Sequence, residues 1–127
     1  MQDDDLKIEV RRQSGGLLHV RVRGAATFAN AMAYWEAISA AIAERPARML
    51  LLIDELAGTP MTEAQWKQLV AEIGPRLGQL RMAHVKPHGL DTVEYCVLSA
   101  MGAGLDARVF EDERMASLWL RYGPPDA

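Results

Sequence analysis

Met49-Leu50-Leu51-Leu52-Ile53-Asp54 is the stretch on which the fold turns. Five apolar residues end abruptly in a carboxylate. A strand with one face in water alternates apolar and polar side chains. A run apolar on both faces fits a strand covered on both sides, as in a parallel sheet. Pro46 upstream and Gly58-Thr59-Pro60 downstream leave little room for a helix. The run therefore reads as a buried strand at 49–53, with the rest of the chain layered around it.

Upstream, Leu6-Lys7-Ile8-Glu9-Val10-Arg11 alternates with period two, and Gln13-Ser14-Gly15-Gly16 signals a turn. Leu18, Val20 and Val22 then alternate with His19, Arg21 and Arg23. This is the pattern of an antiparallel hairpin with one wet face. Lys7, Arg11, Arg21 and Arg23 fall on that face and read as solvated charge. Thr27 predicts the N-cap of a helix reaching about Glu44, with Phe28, Met32, Trp35, Ile38 and Ile42 on one stripe.

Downstream, Glu55 to Met61 reads as a loop. Thr62 and Gln65 form a capping box for a second helix, whose stripe is Trp66, Leu69, Val70 and Ile73 and whose stop is Gly74-Pro75. Arg81-Met82-Ala83-His84-Val85 reads as a strand. Asp91 with Glu94 opens a third helix carrying Val93, Cys96, Val97 and Ala100. Ala107-Arg108-Val109-Phe110 is a short strand, and Asp112 opens a last helix with Met115, Leu118, Trp119 and Tyr122 on one face. Strands and helices that alternate in this way imply a mostly parallel sheet with right-handed crossovers.

The totals agree with one domain over 1–127, its ordered core at about 6–122. Of 127 residues, 50% are apolar and 24% charged, an ordinary globular balance. The net charge of −3 lacks the basic excess of a nucleic-acid binder, so no nucleic-acid partner is expected. One cysteine cannot make an internal disulfide, which suits a reducing compartment. The acidic start Met-Gln-Asp-Asp-Asp lacks the features of a secretory signal. The location expected is cytoplasmic.

Four stretches carry a family resemblance: Val22-Arg23-Gly24 leading into the first helix, the Leu50-to-Ile53 strand, Ala64-Gln65-Trp66, and Arg81 to Val85. The ending, Ala107 to Phe110 and then Ala116-Ser117-Leu118-Trp119-Leu120, adds to them. Together they resemble the SpoIIAA-like group, related to the anti-sigma-factor antagonist (STAS) domains and structurally akin to CRAL-TRIO lipid-binding domains. The resemblance implies an α/β fold, a right-handed βα superhelix. It would hold a five-stranded, mostly parallel sheet, an N-terminal antiparallel hairpin and four main helices. It does not imply an enzyme. STAS antagonists carry a phosphorylatable serine in an Asp-Ser-Ser-like motif opening the helix after the third strand. Here that place reads Pro60-Met61-Thr62-Glu63, and Thr62 is already read as a cap.

Ligands of open α/β sheets collect beyond the C-terminal ends of the strands. The candidate ligand- or partner-binding residues are therefore Asp54, Glu55, Thr59, Met61, Thr62 and Trp66 after the third strand and His88 after the fourth. Asp54 and Glu55 could act as acid and base. Neighbouring strand residues point apart, however, which favours a strand-end pair that faces solvent or caps a turn. His84 reads as a packed strand histidine bonded to backbone. No His/Cys/Asp spacing matches a zinc or metalloprotease site. No serine sits in a Gly-x-Ser-x-Gly elbow, and Cys96 lies on an apolar stripe. No catalytic residue, metal or cofactor is expected. Met49, Met82, Met101 and Met115 fall at core positions, where methionine packs adaptably. The expected function is a non-catalytic regulatory or protein-binding module, whose partner could be another protein or a second copy of the chain. The competing expectation is a carrier or sensor of an apolar or amphipathic ligand with transient membrane contact. An enzyme using Asp54, Glu55 and His88 ranks third.

Overall fold

The computed structural model describes residues 6–58, 62–77, 80–86 and 106–123. Strands β1 (Lys7–Gln13) and β2 (Leu17–Ala25) form the hairpin, paired antiparallel from Lys7 opposite Arg23 to Gln13 opposite Leu17. Its turn needs glycine, because Gly15 and Gly16 have φ of 82° and 79°, a region that other residues seldom enter. Helix α1 (Phe28–Glu44) follows, then β3 (Met49–Ala57), α2 (Glu63–Leu77), β4 (Arg81–Val85), β5 (Asp106–Phe110) and α3 (Glu113–Tyr122). The five strands lie in the order β1-β2-β3-β4-β5, and every pair after the first is parallel. The protein is thus α/β with a mixed sheet, and three helices are described. The helix expected after Asp91, with Cys96 and Met101, lies outside the described residues.

β3 occupies the middle of the sheet and is covered on both faces. Leu50, Leu52 and Leu56 pack with Trp35, Ile38, Trp66, Leu69 and Ile73 of α1 and α2. Leu51 and Ile53 point the other way, against Ala116, Trp119 and Leu120 of α3. Local signals fix the helix starts. Thr27 Oγ1 accepts from the Asn30 N–H at 3.0 Å, and Asp112 Oδ1 accepts from Arg114 N–H at 2.7 Å. The capping box of α2 is closed on both sides. Gln65 N–H donates to Thr62 Oγ1 at 3.1 Å, and Thr62 N–H donates to Gln65 Oε1 at 3.0 Å. Thr62→Ala should therefore cost about 1 kcal/mol in urea unfolding, with Thr62→Ser close to wild type. Equal stability of all three proteins would remove the capping role.

Four expectations are corrected. β3 runs to Ala57 instead of ending at 53, so Glu55 is a strand residue. α2 passes through Gly74-Pro75 and ends at Leu77. A proline ring crowds the Cβ of the residue before it. Gly74 has none and stays helical, while Pro75 forfeits only one late helical bond. α3 buries Ala116, Trp119 and Leu120, whereas Met115, Leu118 and Tyr122 are 57%, 48% and 79% exposed. The chosen face keeps Trp119 inside, seats small Ala116 on the sheet and brings Glu113 to Arg21 and His19 at 3.3 Å each. Of the expected core methionines, Met82 is buried, Met49 half-buried and Met115 exposed. No helix among the described residues is long and apolar enough to cross a membrane.

Candidate functional site

Alternation along β3 sends Asp54 to the face that carries α1 and α2, together with Leu50, Leu52 and Leu56. In the parallel register Leu52 lies opposite His84 and Ile53 opposite Val85. One residue further, Asp54 meets Lys86. His84 and Lys86 are two apart and so share that face. Three polar side chains, from two adjacent strands, thus enter one apolar layer at 3%, 1% and 6% exposure for Asp54, His84 and Lys86.

They satisfy one another. His84 Nε2 lies 2.8 Å from Asp54 Oδ2, and Lys86 Nζ donates to Asp54 Oδ1 at 3.1 Å. Oδ1 also accepts from the Leu56 N–H at 3.0 Å, and Lys86 Nζ donates again to the Leu56 carbonyl at 2.6 Å. Burial pushes the Asp54 carboxyl up. The hydrogen bond and charge of His84, the charge of Lys86 and the Leu56 N–H outweigh it and hold the pKa below the ordinary carboxylate value. An ionised carboxylate only accepts, so Nε2 of His84 carries the shared proton. Nδ1 of His84 is buried without a hydrogen-bond partner among the described residues, as is Nε1 of Trp66, whose ring stands edge-on to the imidazole at 6.5 Å.

Glu55, one residue on, points to the opposite face. It accepts from Arg21 Nη1 at 2.8 Å and Arg23 Nε at 2.7 Å. Arg21 also reaches Glu113, which in turn meets His19. This row of half-exposed ion pairs runs across β2, β3 and the start of α3. Each such pair stabilises by only about 0–1 kcal/mol, but together they orient α3.

Asp54 and Glu55 therefore do not converge, and Asp54 does not face solvent. His84 bonds to a carboxylate, not to backbone. Trp66, one of the candidate binding residues, is 4% exposed, deeper than Trp119 at 7%. Thr62 is an exposed cap. Thr59, Met61 and His88 lie outside the described residues. Sequence reasoning passed over Lys86 as a functional residue. The available signal was the His84-x-Lys86 spacing on a strand predicted to pair beside the one ending in Asp54. Among the described residues no group of three His, Cys, Asp or Glu side chains could hold a metal. At Asp54 the Lys86 ammonium fills the place a cation would take. The arrangement can fix the β3–β4 register and hold one imidazole in one orientation. Trp66 of α2 lies against the His84 ring. Compared with known proteins, the chain matches no protein-family model and no curated protein.

Proposed function

We propose that the protein is a non-catalytic binding module of the SpoIIAA-like, STAS-related type, and that it docks a protein partner on the outer face of α3. One observation carries the reading: Met115, Leu118 and Tyr122 follow one another at i, i+3 and i+7 and stand in solvent, while the opposite side of the same helix is docked on the sheet. Arg114 and Arg121 flank them and are exposed. Methionine, tyrosine and arginine are enriched in protein interfaces, and a contiguous exposed apolar patch marks an interaction surface. The charge at its edges suits a partner that is apolar at its centre and acidic at its rim. The Asp54 carboxylate is already occupied by Lys86 and His84, which supports binding over acid–base chemistry. The reading carries with it a cytoplasmic location, right-handed crossovers and a fourth helix between β4 and β5.

Native mass spectrometry of the protein purified from its host tests it, with a photo-reactive residue at Leu118 to trap contacts. The expected result is a stoichiometric complex cross-linked at Leu118 and lost in Leu118→Glu, with melting unchanged in that variant. A complex of twice the chain mass would make the partner a second copy. A retained apolar small molecule with no cross-linked protein would replace the module by the carrier reading.

A further inference from the structure

The end of the sheet opposite Asp54 holds a cleft of about 470 Å³. It opens where the β1–β2 turn, the starts of β3 and β4 and the last turn of α3 meet. Three arginines line it, Arg48, Arg81 and Arg121, with Tyr122 beside them and the apolar side chains of Met49 and Leu120. Three guanidinium groups around one small cavity are unexpected in a chain of net charge −3.

The three are not equivalent. Arg81 is held in place: its Nε lies 3.3 Å from Asp106, its Nη1 donates to the Gly123 carbonyl at 3.0 Å, and its guanidinium stacks 4.0 Å over the Trp119 ring. Arg48 and Arg121 have no side-chain hydrogen bond or ion pair among the described residues. Both nevertheless lie against the turn. A Cβ on Gly16 would meet Arg48 Cγ at 3.1 Å, and one on Gly15 would meet Arg121 Nη1 at 3.5 Å. Two adjacent glycines thus make room for two arginines at the rim of one cleft, both without a side-chain partner among the described residues.

We infer that this cleft binds a small organic phosphomonoester. The phosphate dianion is shared between Arg48 and Arg121, and the organic body lies over Met49 and Leu120 beside Tyr122. Guanidinium groups donate paired hydrogen bonds to phosphate oxygens, and two of them answer a double charge better than a carboxylate's single one. The Arg81 charge is largely offset by Asp106, so the attraction comes from Arg48 and Arg121. The volume lies within the range of small-molecule sites and exceeds what phosphate alone would fill.

Phenyl phosphate is the probe, titrated into the intact protein by calorimetry and by ¹H–¹⁵N spectra of the indole N–H groups. The expected result is saturable one-to-one binding that shifts the Trp119 indole, beneath Arg81, and leaves Trp35 and Trp66 on the other face in place. Arg48→Gln and Arg121→Gln should each weaken it about tenfold, as loss of a charged hydrogen bond does, and the double variant should abolish it with unchanged melting. Inorganic phosphate, lacking the body, and benzoate, lacking the second charge, should both bind more weakly. Pelleting with phosphatidic acid vesicles, lost in the double variant, would make a lipid headgroup the source of the phosphomonoester. Phenyl phosphate binding without pelleting would make it a soluble compound. The proposal is overturned if phenyl phosphate gives no saturation up to about 10 mM, or if the double variant binds it equally well. The cleft and the partner surface share Arg121 and Tyr122, so the two are told apart by residues that belong to one alone: Leu118→Glu should leave the titration unchanged, and Arg48→Gln should leave the Leu118 cross-link unchanged.

Discussion

Asp54→Ala should cost about 3–5 kcal/mol, a large part of the roughly 5–15 kcal/mol that holds a domain of this size. The loss comes less from the missing carboxylate than from what it leaves behind. Lys86, at 6% exposure, keeps the Leu56 carbonyl but loses its counter-charge, and His84 loses the acceptor for its Nε2 proton. Urea unfolding at pH 7 measures the effect. The triple variant Asp54→Leu, His84→Phe, Lys86→Met is the control. It removes both charges together and should recover most of the loss, because apolar replacement of a whole buried network is often neutral. A loss below about 1 kcal/mol in Asp54→Ala would mean that Lys86 reaches water and that the network does not hold β3 to β4. The pH dependence follows with a definite sign. Folding lowers the Asp54 pKa. Its contribution is therefore complete above the unfolded value of about 4 and is lost as pH falls through the lower folded value. The gap between wild type and Asp54→Ala should be wide at pH 7 and should close in acid below about pH 4.

How much of this was legible in the sequence depended on how far apart the interacting residues lie. Thr27 with Asn30 and Thr62 with Gln65 are three residues apart, and their caps could be read directly. The β3 run could be read because a strand apolar on both faces signals two-sided burial without any knowledge of its neighbours. The Asp54 network spans 30 and 32 residues. Finding it requires the β3–β4 register, since a slip of one residue would send His84 and Lys86 to the opposite face. Taken singly, each of the three looks like an ordinary strand-end polar residue. The face of α3 was misread for a related reason. Trp119 belongs to two competing stripes, and periodicity favours the more apolar one, with Met115, Leu118 and Tyr122. Tertiary contacts decide for the other: Glu113 reaches Arg21 across the sheet, and Ala116 permits close approach. The cleft at the opposite sheet end was also hidden. Arg48, Arg81 and Arg121 are scattered along the chain and meet only once β3, β4 and α3 are assembled.

Leu50→Asp should leave no stably folded protein at 37 °C. Leu50 is fully buried, faces the α1 and α2 layer, and lies between Leu18 of β2 and Met82 of β4. Its replacement forfeits about 1.5–3 kcal/mol of apolar burial. The new carboxyl, even if it takes up a proton, then costs about 2–7 kcal/mol more for want of a hydrogen-bond partner. The sum is comparable with the whole stability of the domain. Position matters as much as burial. At Leu52 the neighbour in β4 is His84, so an aspartate there has one polar group within reach, although Asp54 already holds it. Leu52→Asp should consequently be damaging but less so than Leu50→Asp. Leu50→Met keeps the volume nearly constant and should cost less than about 1.5 kcal/mol. Thermal melts followed by circular dichroism would order the three. A cooperative melt of Leu50→Asp close to that of wild type would show that β3 is not the buried centre of the sheet, and the two-faced packing built on it would fall with it.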